Sequence, residues 1–228
     1  MFWYKIKIKF GPLIIVVNSS NDTTSVHYNF NFHLASHGYI VIGNEDKAAG
    51  SGETTSKMLN YILDLSKDKS NILYNKIDIL KIGITGGLQG RAGCIRAVTE
   101  FENEKYYKAL VIISTPRFEI GIWCKKINIP WFQITSTGFA DSNVINPICP
   151  LSSLKENYEK LKEGVPCCYA RRKNVDHTDM LVYGDGYILA WFCFQLLGDA
   201  SASRAFIGNN SEILNNDNWQ DINIKNIY

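Results

Sequence analysis

The sequence lacks an excess of charge of either sign. Its 228 residues include 24 Lys and Arg against 22 Asp and Glu, which leaves a formal net charge of +2. The lysines are spread along the chain, whereas a protein that binds phosphate backbones or anionic lipid surfaces usually concentrates basic residues in one patch. We therefore expect no nucleic-acid partner.

Long hydrophobic runs are also missing. A membrane-spanning helix needs about 20 consecutive apolar residues, and no segment here is that long. The N-terminal stretch MFWYKIKIKFGPLIIVV contains lysines, but Gly11 and Pro12 divide the continuous apolar core that a signal peptide requires. We expect no membrane span and no signal peptide, which leaves the compartment open with the cytoplasm as the default.

Metal-ligand spacing is absent as well. No pair of the six cysteines forms C-x-x-C, and none of the four histidines lies at zinc-ligand spacing from a cysteine. The sequence thus predicts no metal and no cofactor. It favours buried thiols in a reducing compartment, although a disulfide remains open. The cysteines are Cys94, Cys124, Cys149, Cys167, Cys168 and Cys193.

The apolar residues predict an α/β protein. They make up 46% of the chain, enough for a substantial core in a single domain over 1–228. Runs typical of buried strands alternate with helical periodicity, which indicates a mostly parallel sheet with helices on both faces. The strand runs are 13–17, 38–46, 77–84, 109–114, 131–136 and 166–170, and the helical segments are 28–37, 54–66, 88–98, 154–161 and 187–197. The run at 166–170 is predicted to be the last strand, and the Asn- and Asp-rich tail from Asn209 to be irregular.

A glycine-rich turn links the strand at 77–84 to the helix at 88–98. Its residues Gly86-Gly87-Leu88-Gln89-Gly90 fit the frame G-x-S-x-G, in which a sharp strand-to-helix corner presents a nucleophilic serine. Leucine stands where that serine would be. The turn is a poor match to a phosphate-binding loop, because Gly90 is followed by Arg91 and Ala92 rather than Lys and Ser/Thr, and no glycine triple has dinucleotide spacing.

An acid and a histidine follow this turn in the order typical of α/β hydrolases. Asp141 comes after the strand run 131–136, and His177 comes after the run 166–170. In such triads the carboxylate orients the imidazole, which takes the proton of the nucleophile. Asp176 and Asp179 are too close to His177 in sequence to orient its ring easily. The other histidines (His27, His33 and His37) are interpreted as packing or surface residues.

Three segments resemble a branch of the α/β hydrolases related to dienelactone hydrolases and cutinase-like polyesterases. They are HLASHGYIVIGNEDKAAGSGETT at 33–55, KIDILKIGITGGLQGRAG at 76–93 and HTDMLVYGDGYILAWFCFQLLGD at 177–199. The similarity extends over most of the chain from about Leu13 to about Ile213. It implies a three-layer α/β-hydrolase fold, with one or two N-terminal strands of the family missing. Members of this branch are serine hydrolases that act on carboxylic esters.

Matched to this family, the nucleophile position is Leu88, the acid is Asp141 and the base is His177. Backbone N–H groups of Gln89 and of the loop NSSN, at Ser20, would form the oxyanion hole. Besides Leu88, the chain departs from the family pattern at Arg91, where a small glycine is usual, and at NSSN, where the family loop is richer in glycine.

Three functions stay open on this basis. The first is a hydrolase relative whose ester hydrolysis is impaired by Leu88. The second is an active serine esterase with a sequence variant at position 88, or with Thr85 or Cys94 as a poorly placed substitute. The third is a non-catalytic protein that binds a small ester or acyl ligand, with Phe118, Trp123 and Phe139 as candidate lining residues. The substrate and the oligomeric state are not encoded in these patterns.

Overall fold

A computed structural model of the chain describes residues 10–19, 22–87, 89–114, 123–142 and 145–228. The chain divides into two compact units, Met1–Lys108 and Ala109–Tyr228, and each is described by itself. The expectation of a single domain over 1–228 stays a prediction.

The first unit is built on three parallel strands in the order β2-β1-β3. The central strand β1 pairs in parallel with both neighbours, and its residues Leu13, Ile14 and Ile15 are fully buried. A parallel strand covered on both faces has the continuous apolar sequence seen here. The strands are β1 (Gly11–Val17), β2 (Ile40–Gly43) and β3 (Ile77–Gly87), and the helices are α1 (Tyr28–Ser36), α2 (Glu53–Leu65) and α3 (Gly90–Ala97). Short 3-10 helices span Thr24–His27, Ala49–Ser51 and Glu102–Tyr106.

The second unit carries four strands in the order β4-β5-β6-β7. Strands β4, β5 and β6 pair in parallel, and β7 pairs with β6 in the antiparallel sense. The strands are β4 (Tyr107–Ile113, which begins just before the boundary of the unit), β5 (Trp131–Ser136), β6 (Cys167–Arg172) and β7 (Trp219–Lys225). The helices are α4 (Phe139–Ser142), α5 (Leu151–Lys160), α6 (Met180–Tyr183), α7 (Asp185–Leu197) and α8 (Ala200–Ser203), with 3-10 helices at Cys124–Lys126, His177–Asp179 and Glu212–Asn215.

The predicted alternation of strands and helices in a mostly parallel sheet is confirmed. Two predictions for the C-terminal region are wrong, because β6 is not the last strand and the tail is not irregular throughout. Residues Trp219–Lys225 form β7, whose polar sequence did not indicate a strand. An edge strand can be this polar because only one side of it pairs and much of it meets solvent. Its pairing with β6 also contains an irregularity between Tyr169 and Arg171.

Aromatic rings fill the core of the second unit. Phe132 of β5 lies 5.5 Å from Trp191 of α7 and 5.3 Å from Phe206, measured between ring centroids. Trp191 and Phe206 are 5.1 Å apart in an edge-to-face arrangement, which is one of the favourable geometries for aromatic pairs. All three side chains are fully buried. This packing gives β5 and α7 a fixed relation, and both adjoin the segments that carry Asp141 and His177.

No single helix in the described ranges is both long and apolar enough to cross a membrane. The segments His177–Tyr183 and Asp185–Leu197 satisfy length and composition only as a pair, with a bend of 56° between them.

Candidate functional site

The strand–turn–helix corner of the first unit is tightly packed. Strand β3 ends at Gly87 and α3 begins at Gly90, with the exposed Gln89 between them in a helical conformation. A Cβ atom at Gly90 would lie 2.4 Å from the carbonyl oxygen of Val17 and 2.7 Å from that of Asn18. Only glycine fits where backbone approaches backbone this closely. Leu88 lies outside the described residues.

The loop after β1 is held beside this corner. The Nδ2 atom of Asn18 donates to the carbonyl oxygens of Asp22 at 2.7 Å and Asp46 at 2.6 Å. The Ser19 hydroxyl donates to the carbonyl oxygen of Gly87 at 3.3 Å. The hydrogen bond from Ser19 therefore links the loop after β1 to the end of β3. The position proposed for the second oxyanion donor, Ser20, lies outside the described residues, so the pairing of Ser20 with Gln89 stays a prediction.

In the second unit, the structure brings Asp141 and His177 together. Asp141 lies on the short helix α4 that follows β5, and His177 opens the 3-10 helix that follows β6. The backbone N–H of Gly138 donates to the carbonyl oxygen of Val175 at 2.8 Å, which ties the two segments to each other. The distance from His177 Nδ1 to Asp141 Oδ1 is 2.7 Å, and both side chains are buried.

The second carboxylate oxygen of Asp141 is held from β5. The Thr135 hydroxyl donates to Oδ2 at 2.9 Å, and both the backbone N–H and the hydroxyl of Ser136 donate to the same atom. Burial alone would raise the pKa of Asp141. The hydrogen bonds from His177, Ser136 and Thr135, together with the positive charge of a protonated His177, outweigh burial and hold the pKa below its usual 3.8. The carboxylate is therefore ionised and fixed in orientation at neutral pH.

The two ring nitrogens of His177 differ in their hydrogen bonding. An Nδ1–H that donates to the carboxylate leaves the lone pair on Nε2. This Nε2 atom is buried and has no hydrogen-bond partner among the described residues. A buried carboxylate that fixes the tautomer of an imidazole, with Nε2 able to accept a proton, is the arrangement a general base requires.

No pattern in the sequence indicated a third side chain at this pair. Cys149 is fully buried, and its Sγ, one nitrogen of His177 and one carboxylate oxygen of Asp141 all lie within 4.8 Å of one another. The Ile148 N–H donates to the carbonyl oxygen of Ala140 at 2.7 Å, which returns the chain to α4 just before Cys149. No regular motif spacing joins residues 141, 149 and 177, so only the fold brings them together.

Other candidate residues from the sequence have different surroundings. Thr85 and Cys94 are fully buried, and burial raises the pKa of the Cys94 thiol well above its usual value, which keeps it protonated. Neither presents an activated nucleophile. Outside the pair, His27 Nε2 lies 3.3 Å from a carboxylate oxygen of Asp22. Phe139 is 82% exposed, and Phe118 lies outside the described residues.

None of the six cysteines, all of which lie in the described ranges, forms a disulfide, and five of them are buried. The disulfide left open by the sequence therefore does not form here. Comparison with known proteins finds no family model that matches this chain and no match among curated proteins.

Proposed function

We propose that this chain has the α/β-hydrolase fold, with helices on both sheet faces, and belongs to a carboxylic-ester hydrolase lineage. Its ester hydrolysis is impaired because Leu88 stands at the nucleophile position. The observation that carries the proposal is the buried hydrogen bond between His177 Nδ1 and Asp141 Oδ1, with Nε2 of the same ring left without a partner in the described chain. A solvated loop histidine would need neither burial nor a carboxylate held by three donors.

The chemistry follows from what each group can do. In a triad, Nε2 of the base accepts the proton of a serine hydroxyl while the oxygen attacks the ester carbonyl, and the carboxylate stabilises the imidazolium that forms. Two backbone N–H groups, here those of Ser20 and Gln89, would stabilise the oxyanion. The side chain of Leu88 has no oxygen to attack and no proton to give. The Asp141–His177 pair therefore has no nucleophile to activate.

A second candidate function is the binding of an uncharged ester or acyl ligand without turnover. Large apolar side chains are exposed on the segments that carry Asp141 and His177, with Ile145 97% and Val182 69% exposed. Apolar surface beside a few fixed polar groups is typical of sites for small organic ligands. This candidate is compatible with the first, because a leucine at position 88 would add apolar surface.

The proposal is tested by restoring the missing nucleophile. We expect the wild-type chain to hydrolyse p-nitrophenyl acetate or butyrate no faster than Leu88→Ala. We expect Leu88→Ser to raise turnover by about 100-fold or more, since loss of a triad nucleophile costs about six orders of magnitude in kcat. The double variant Leu88→Ser/His177→Ala should return to the wild-type level.

Two outcomes contradict the proposal. One is a wild-type chain that turns over esters at ordinary enzyme rates and loses this activity in His177→Ala. The other is a folded Leu88→Ser variant that stays at the level of Leu88→Ala.

A further inference from the structure

The Asp141–His177 pair has a third neighbour that ester hydrolysis does not use. The three potential ligand atoms, one each from Asp141, Cys149 and His177, lie within 4.8 Å of one another, and all three residues are buried. Carboxylate oxygen, thiolate sulfur and imidazole nitrogen together form a donor set typical of zinc. We propose that these three side chains form a binding site for a thiophilic divalent cation, Zn²⁺ above all.

The separations of the ligand atoms can be compared with those of a zinc site. Zinc takes sulfur at about 2.3 Å and nitrogen or oxygen at about 2.0–2.2 Å, so ligand atoms of a tetrahedral site lie several ångströms apart. The three ligand atoms of the present cluster all lie within 4.8 Å of one another. The hydrogen-bonded atoms of His177 and Asp141, at 2.7 Å, are already close together. Cys149 lies two residues before α5, which begins at Leu151.

Charge balance favours a cation here. Binding releases the thiol proton of Cys149, and the imidazole of His177 coordinates through Nδ1 while its proton moves to Nε2. A 2+ ion with one thiolate and one carboxylate is then neutral, and burying a neutral assembly costs far less than burying a single ion. Arg171, whose Nε donates to the carbonyl oxygen of Ser136 at 3.2 Å, already contacts Asp221 at 3.4 Å. Coordination through Nδ1 replaces the hydrogen bond to Asp141 Oδ1, and Nε2, which has no partner among the described residues, then carries the ring proton.

This site does not depend on ester hydrolysis, because its ligands bind the ion whether or not a nucleophile is present. The three protein ligands leave a fourth position for water, as in open zinc sites. If the proposed function also holds, a bound ion would occupy the imidazole and the carboxylate that the relay needs.

The first test is a titration of the full-length chain with Cd²⁺, followed by the ultraviolet charge-transfer absorption of the cadmium–thiolate bond. We expect one ion per chain in the wild type and in Cys193→Ser, a control for the half-buried thiol on α7. Cys149→Ser should lose the band. His177→Ala and Asp141→Asn should weaken binding by more than the about 10- to 100-fold that is typical of outer-shell partners.

A band of unchanged intensity in Cys149→Ser, or no band in the folded wild type, would overturn the site. X-ray absorption of the Zn²⁺-loaded wild type provides a second test that needs no variant. It should show one sulfur at about 2.3 Å and nitrogen or oxygen neighbours at about 2.0–2.1 Å, and a zinc shell without sulfur would refute the assignment. Neither readout measures ester hydrolysis, so failure here is separate from failure of the proposed function.

Discussion

At the scale of single residues, Asp141 is the most informative position in this structure. A fully buried carboxylate is costly unless its charge is balanced by hydrogen bonds. Here Thr135, Ser136 and His177 supply these hydrogen bonds. The carboxylate that they hold fixes the position of the His177 imidazole. A chain whose core needed only stability could fill this position with an apolar side chain. The pair is therefore best explained by the chemistry it allows.

The free energy of unfolding at low pH should depend on the ionisation of Asp141. The pKa of Asp141 is lower in the folded chain than its usual 3.8, so the unfolded chain takes up the proton first as the pH falls. The stabilisation is complete at neutral pH and is lost as the pH falls through the folded-state pKa. In metal-free buffer, we expect the free energy of unfolding of the wild type to fall more steeply between about pH 5 and pH 3 than that of Asp141→Asn.

Ser136→Ala provides an intermediate case, because it removes one hydroxyl donor to Oδ2 and leaves the His177 bond in place. Its slope should lie between those of the wild type and Asp141→Asn. Urea unfolding at a series of pH values measures all three. Equal slopes in the wild type and Asp141→Asn would show that Asp141 does not carry a lowered pKa.

Individual residues were partly accessible to prediction from the sequence. The order of turn, acid and histidine pointed to Asp141 and His177, because each follows a buried strand and parallel strands present their carboxyl ends at one edge. Cys149 was not accessible, since its approach to the pair accompanies the hydrogen bond between Ile148 and Ala140, and no periodicity encodes that contact. The donors Thr135 and Ser136 were hidden as well, because both belong to a strand run that reads simply as buried.

At the scale of elements, the corner between β3 and α3 requires glycine at position 90. Gly90 leaves no space for a side chain, because a Cβ there would meet the backbone of Val17 and Asn18. Gly186, near the start of α7, is a matched contrast because no atom lies within 4 Å of the corresponding Cβ position. Both glycines lie in the first turn of a helix, so helix propensity alone cannot distinguish them.

We expect Gly90→Ala to lower the free energy of unfolding by about 1–3 kcal/mol, since the corner must open to admit the methyl group. Gly186→Ala should instead raise it by up to about 1 kcal/mol, because alanine restricts the unfolded chain without a clash in the folded one. Chemical denaturation of the two variants beside the wild type makes the comparison. A Gly90→Ala variant as stable as Gly186→Ala would show that the corner is not tightly packed.

The elements themselves were predicted where their sequence is strongly apolar. Strand β1 and helix α7 follow from a continuous apolar run and from an aromatic-rich helical segment, and both are central to the packing of their units. Strand β7 was missed because Asn, Asp, Gln and Lys dominate its sequence, and its pairing partner lies about 50 residues earlier in the chain. Long-range pairing of a polar edge strand leaves almost no local signal.

At the scale of the whole molecule, two features from separate units carry the proposed function. The first unit has a glycine-lined corner between β3 and α3, and the second has the buried hydrogen-bonded pair of Asp141 and His177. Our proposal is that the chain keeps the framework of an ester hydrolase while position 88 no longer supports the chemistry. Loss of a single hydroxyl is sufficient for this, because the members of a triad act as a unit.

The most direct measurement is covalent labelling of Leu88→Ser with a fluorophosphonate probe, with the labelled residue located by mass spectrometry. Attack by the serine oxygen displaces fluoride from phosphorus and passes the hydroxyl proton to the base, so labelling requires a working relay at position 88. We predict label on residue 88 in Leu88→Ser, and none in the wild type or in Leu88→Ser/His177→Ala. A folded Leu88→Ser variant that stays unlabelled, or one labelled equally well without His177, would contradict the account.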